Sequence, residues 1–144
     1  MSNSNKPGIA FWIVGIIALL WNGSGVYYYL NSAFDTEASK AGLSPEQIDF
    51  MNNVPAWYTA LFALAVFGGI IAAILFLMKK KMAVPLFMLS FICATINEIY
   101  WLFGTDAPTV FADQQPYLMP VLVVVIAVFL VWDSRDQKAK GILS

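Results

Sequence analysis

Residues 57–103 read WYTALFALAVFGGIIAAILFLMKKKMAVPLFMLSFICATINEIYWLF: two apolar runs of 22 residues, 57–78 and 82–103, on either side of three consecutive lysines. A hydrocarbon core of about 30 Å takes about 20 residues of α-helix at 1.5 Å each, so either run is long enough to cross a bilayer. Inside lipid the backbone must satisfy its own hydrogen bonds, which makes both runs helices, and so short a connection folds the second back against the first.

Two further runs flank this hairpin. Residues 9–30 precede it, too long an apolar stretch for a cleaved signal peptide and one that contains Trp21 and Asn22. Residues 117–132 follow it; Pro116 is compatible with a first helical turn, and the helix can continue beyond Trp132. The expected architecture is therefore all-α: one integral-membrane four-helix bundle over residues 1–144, with spans at about 9–30, 57–78, 82–103 and 117–132.

Composition agrees with this and excludes several function classes. Apolar residues make up 60% and charged ones 12%, against about 25% charged in an ordinary soluble domain. A formal charge of −1 gives no electrostatic ground for nucleic acid as a partner. There is no histidine, and Cys93 is the sole cysteine. The commonest metal ligand and general base are missing, so no catalytic role, metal or cofactor is expected.

The basic residues predict orientation. Lys6, Lys79, Lys80, Lys81, Arg135, Lys138 and Lys140 fall at one end of the spans, whereas Lys40 lies at the other with Asp35, Glu37, Glu46, Asp49, Asp106 and Asp113. Positive charge is retained in the cytoplasm, so both termini are expected there, in a multi-pass protein of the inner membrane. Trp57, Trp101, Tyr117 and Trp132 stand near span ends, where amphipathic rings suit the headgroup region. In the outer loop 31–55, Ser44-Pro45-Glu46-Gln47 reads as a helix start over about 45–52. Its Ile48 and Met51 would face the bundle or the membrane surface, as a lid or as a plain connector.

Small residues recur at helical spacing in span one (Gly15, Ala18, Asn22, Gly25) and span two (Ala65, Gly68, Gly69, Ala72), the pattern of close helix packing in lipid. Glu98 differs in kind. It lies 17 residues beyond Lys81, about 25 Å along its helix and within the outer leaflet, and no span contains a lysine or arginine. Such an acid is protonated, is hydrogen-bonded by neutral donors such as Asn22, binds a cation, or snorkels to water. Trp101 shares its face, Asn97 adjoins it, and Asn22 and Tyr28 fall in the same outer zone. An acid among amides and aromatic rings suits a sugar or an organic cation. The expected site takes Glu98 as proton or cation site, with Asn22, Asn97, Trp101 and Tyr28 binding the solute.

Phe11-Trp12, Trp21-Asn22 with Gly25, Pro55-Ala56-Trp57, the Ala-Val-Phe-Gly-Gly run at 65–69, Pro85-Leu86-Phe87, the Phe-Leu-Val-Trp run at 129–132 and Lys138-Ala139-Lys140-Gly141 together resemble a family of small bacterial four-helix inner-membrane proteins, some of which carry a sugar-transporter label. The resemblance covers nearly the whole chain and implies a bacterial protein of transport type. One four-helix chain is too small to enclose an alternating-access path, so transport would call for a homo-oligomer. The rival expectation is a non-transporting accessory or assembly subunit of a larger membrane complex.

Overall fold

The computed structural model describes residues 6–34 and 36–144; Asp35, counted above among the acids of the outer side, lies outside them. Four long helices dominate: α1 (Ile9–Ala33), α4 (Ala56–Leu77), α5 (Ala83–Phe103) and α7 (Leu118–Ala139). Shorter pieces complete the loops: α2 (Glu37–Lys40), α3 (Pro45–Asn52), α6 (Ala107–Val110) and a single 3-10 turn, Ala112–Gln114. Among the described residues there is no strand. All four long helices have the length and hydropathy to cross a membrane, and the chain is an all-α, multi-pass membrane protein.

The helices run alternately up and down, which brings the start of α1 and the end of α7 to the end of the bundle that holds the α4–α5 turn (the turn end); α2, α3 and α6 lie at the opposite loop end. Each boundary has a local cause. Pro85 and Pro120 stand within the first turns of α5 and α7, where a missing N–H costs nothing. Helix α7 runs seven residues past Trp132, through Asp133, Ser134, Arg135 and Asp136, because helix propensity does not fall when side chains turn from apolar to polar.

At the turn end two helices stop in the same way. After α4, Lys79 adopts φ 61°, with its N–H on the Phe76 carbonyl at 2.9 Å and the Lys80 N–H on the Leu75 carbonyl at 2.8 Å. After α7, Gly141 adopts φ 80°, with the Gly141 N–H on Lys138 and the Ile142 N–H on Gln137, both at 3.0 Å. Both are Schellman caps, which reverse the chain through one left-handed residue. The second sends Leu143 back into the bundle, 3% exposed among Phe11, Phe76 and Phe87. The Ser144 N–H then donates to the Lys79 carbonyl at 2.9 Å, tying one cap to the other.

Packing is sequential. Helix α4 lies most extensively against α5, α1 packs on α4, and α7 packs on α5, but no comparable interface joins α1 to α7. At the turn end that gap is filled, since Leu130 of α7 shares a core with Phe11 and Ala18 of α1. Small residues allow these approaches: Ala72, Ala73 and Ala83 are fully buried, a Cβ on Gly15 would overlap the Leu77 side chain, and one on Gly25 would lie 2.8 Å from Val66 Cγ1. Gly68 is looser, with Leu86 and Leu89 at 4.0 Å from its ideal Cβ.

The paired caps make opposite predictions. Gly141→Ala puts a Cβ on a left-handed residue and should cost about 1 kcal/mol, whereas Lys79→Gly relieves the same conformation and should gain about 0.5–1 kcal/mol. Unfolding of the purified protein in a denaturing detergent measures both; a destabilised Lys79→Gly would contradict the reading.

Candidate functional site

Because α1 and α7 do not close on each other, the loop-end half of the bundle contains a cleft of about 840 Å³ walled by all four long helices. Its floor includes Phe87 and Leu130, and Ile48 and Met51 of α3 line it from the loop end. On α5 the lining runs from Phe87 to Trp101, fourteen residues or about 21 Å of depth.

Every solute or cation residue expected from the sequence borders this space: Glu98, Asn22, Asn97, Trp101 and Tyr28. Depths match, since Asn22 is thirteen residues into α1 from the turn end and Glu98 fifteen into α5, about 20 and 22 Å. Glu98 is half-buried, and among the described residues no donor reaches its carboxyl. Tyr28 and Tyr58 line the same cleft. Beside it Asn97 is 3% exposed, and its Oδ1 has no hydrogen-bond partner among the described residues.

Asn22 does not reach Glu98. Its Nδ2 donates to the Ala18 carbonyl one turn back at 2.9 Å, and its Oδ1 lies so close to Gly69 that a Cβ there would overlap it. The same Cβ would stand 3.1 Å from Ser90 Oγ, whose hydroxyl donates to the Ala65 carbonyl at 2.6 Å. Helices α1, α4 and α5 therefore meet at Gly69, directly below the polar band. Gly69 is thus a seat for the Asn22 amide, part of the cleft's construction.

Aromatic rings line the loop-end half of the cleft. Tyr58 stacks on Trp101 with centroids 5.8 Å apart and 25° between planes. Phe50 of α3 meets Trp101 at 5.4 Å and Phe111 at 5.9 Å. Phe62 receives Tyr28 at 5.8 Å and Tyr29 at 6.0 Å. The α3 roof is fastened by Gln47, 4% exposed. Its Oε1 accepts from the Ser44 N–H at 3.0 Å to complete a capping box, while its Nε2 donates to the Val110 carbonyl at 3.1 Å and to Asp113 Oδ1 at 2.9 Å. Sequence reading missed Phe62 and this second role of Gln47. For Phe62 a signal existed, because Tyr58, Phe62, Ala65 and Gly69 follow steps of three and four on one face of α4. For Gln47 there was none, since its acceptors lie more than sixty residues away.

Gly69→Ala should destabilise the protein by about 1–3 kcal/mol, the usual cost of overpacking a fitted contact. Combined with Asn22→Ala, which removes the overlapped amide, the same substitution should cost less than half as much. A double-mutant cycle of unfolding free energies checks this, and strict additivity would show that the two residues do not meet.

Comparison of the chain with models of known families, with curated proteins and with solved structures finds no match.

Proposed function

We propose that the protein is a bacterial inner-membrane protein of transport type, standing with its loop end outside and both termini in the cytoplasm, and that its cleft binds a small organic solute rich in hydrogen-bond donors, with Glu98 as the proton or cation site. The observation that carries this reading is the pair Glu98 and Asn97. A carboxylate is an acceptor only, and an amide oxygen left without a donor while buried costs about 1–3 kcal/mol. Two such groups side by side in a cleft of ligand size are completed by a molecule that brings donors: a protonated amine or a polyol. The lysine-rich turn end supports the orientation, because it places the cleft, in the opposite half of the bundle, away from the cytoplasm. Transport by a chain of four helices would employ a second copy, and the unclosed side between α1 and α7 is the natural seam for it.

That same unclosed side favours a second reading, an accessory subunit whose gap is filled by a helix of a larger membrane partner. The glycines do not argue for such docking, since Gly15, Gly25 and Gly69 already pack inside the chain.

Melting of the detergent-purified protein separates the two. A ligand that binds only the folded state stabilises it by about 2.7 kcal/mol at a hundred times its dissociation constant. Butylammonium or a simple sugar should raise the melting temperature of the wild type, and Glu98→Gln, which keeps shape but not charge, should lose the shift for the amine. If no such compound moves the wild type and Glu98→Gln is merely more stable, the solute reading fails and the accessory reading gains.

A further inference from the structure

The cleft continues well below its polar band, and that lower part has a chemistry of its own. Beneath Asn97 the walls are Val66, Phe87, Ala94, Val123, Ile126 and Leu130. The polar side chains that do occur there are spent: Ser90 on the Ala65 carbonyl, and Asn22 on the Ala18 carbonyl and against Gly69. A sugar filling this space would press its hydroxyls on hydrocarbon, each at a cost of about 1–3 kcal/mol. An inorganic cation would leave it empty.

Access has a direction too. From the loop end the cleft is roofed by α3, held down by Gln47 and by Phe50 among Trp101 and Phe111. On the side between α1 and α7 no helix interface closes it above the level of Leu130. A molecule entering there comes from the bilayer, not from water.

Accepting the proposal that Glu98 anchors a ligand, we infer that this ligand is an amphiphile, a protonated primary amine on an unbranched alkyl chain, which enters sideways from the membrane with its head at Glu98 and Asn97 and its tail along the apolar floor. A primary ammonium offers three N–H donors, which suits a carboxylate and an amide oxygen that have none, whereas a quaternary ammonium would satisfy neither. The nearby rings of Tyr28, Tyr58 and Trp101 are compatible with the same cation.

The test uses the full chain in lipid nanodiscs, with empty nanodiscs as reference, titrated calorimetrically with butylammonium, dodecylammonium and dodecanol. Ala127 lines the cleft nine residues below the start of α7, about 14 Å, whereas Glu98 is five residues below the end of α5, about 8 Å. Ala127→Trp therefore fills the tail space and spares the head. Because Ala127 is only partly buried, the larger ring need not enter the core; Ile126→Trp, eight residues below the start of α7, about 12 Å, supplies a second, independent filling. Wild type should bind both amines saturably and dodecanol not at all. Glu98→Gln should weaken both amines at least tenfold. Ala127→Trp and Ile126→Trp should hold butylammonium within twofold of wild type and lose at least tenfold for dodecylammonium. If butylammonium binds but dodecylammonium binds equally to wild type and both filled variants, the tail assignment is overturned while the Glu98 site stands. Dodecanol binding as tightly as dodecylammonium overturns the amine assignment, and no saturable binding of either amine overturns this inference and the solute site together.

Discussion

The structure depends most on the seat of Asn22 over Gly69. In lipid, apolar side chains gain nothing by leaving their solvent, so helices are held by close contact and by the few hydrogen bonds that can form between them. At Gly69 the missing Cβ lets α1 bring a whole amide against α4, and Ser90 of α5 completes the node with the one hydrogen bond between spanning helices among the described residues. Three helices are fixed to one another there. The fourth, α7, is attached through α5 alone, and it meets α1 only where the Leu130 core closes the turn end. The cleft above is the geometric consequence: three helices are pinned at mid-depth, and the remaining one is pinned to them only lower down.

The parts of this design that were legible in the sequence are those set by local or periodic rules. The Met78–Met82 interruption between two spans declares a hairpin, because the bilayer fixes span length and backbone bonding leaves no choice but helix. Ser44 and Gln47 are readable as a cap because their partners are three residues apart. The depth and face of Glu98, Asn97 and Trp101 follow from helical periodicity. What periodicity does not contain is which helix stands beside which. Asn22 and Glu98 do stand at one depth, yet the Asn22 amide bonds within its own helix, an outcome decided by how closely α1 approaches α4. Lys79 was equally opaque: lysine in a basic turn reads as a topology signal, and nothing in its chemistry marks a left-handed residue. Ile142 and Leu143 follow a charged stretch and read as tail, although the Gly141 cap turns them into core.

The two ends of the bundle divide the energetic labour. At the turn end, Phe11 stacks on Phe76 at 4.5 Å and Phe76 meets Phe87 at 6.2 Å, with Leu130 and Leu143 filling the remainder. The ring contacts there are apolar, although Asp133 Oδ2 and Gln137 Oε1 at the same end of α7 are buried without a hydrogen-bond partner among the described residues. At the loop end stability comes instead from rings and from the Gln47 fastening between the two loops.

This division bears on what movement could do. Passage of a solute from the cleft to the turn end would have to part the Phe11–Phe76–Phe87 stack and lift Leu130 and Leu143, a region tied at its base by the main-chain bond between Ser144 and Lys79. Opening the side between α1 and α7 breaks no comparable interface. The easier motion of this bundle is therefore lateral, a swing of α7 with its α5 contact as hinge, and exchange between the cleft and the bilayer disturbs far fewer contacts than exchange across it. In a chain built this way the aromatic core would bar passage of a solute across the bundle, and the membrane would be the nearest reservoir for the ligand proposed at Glu98.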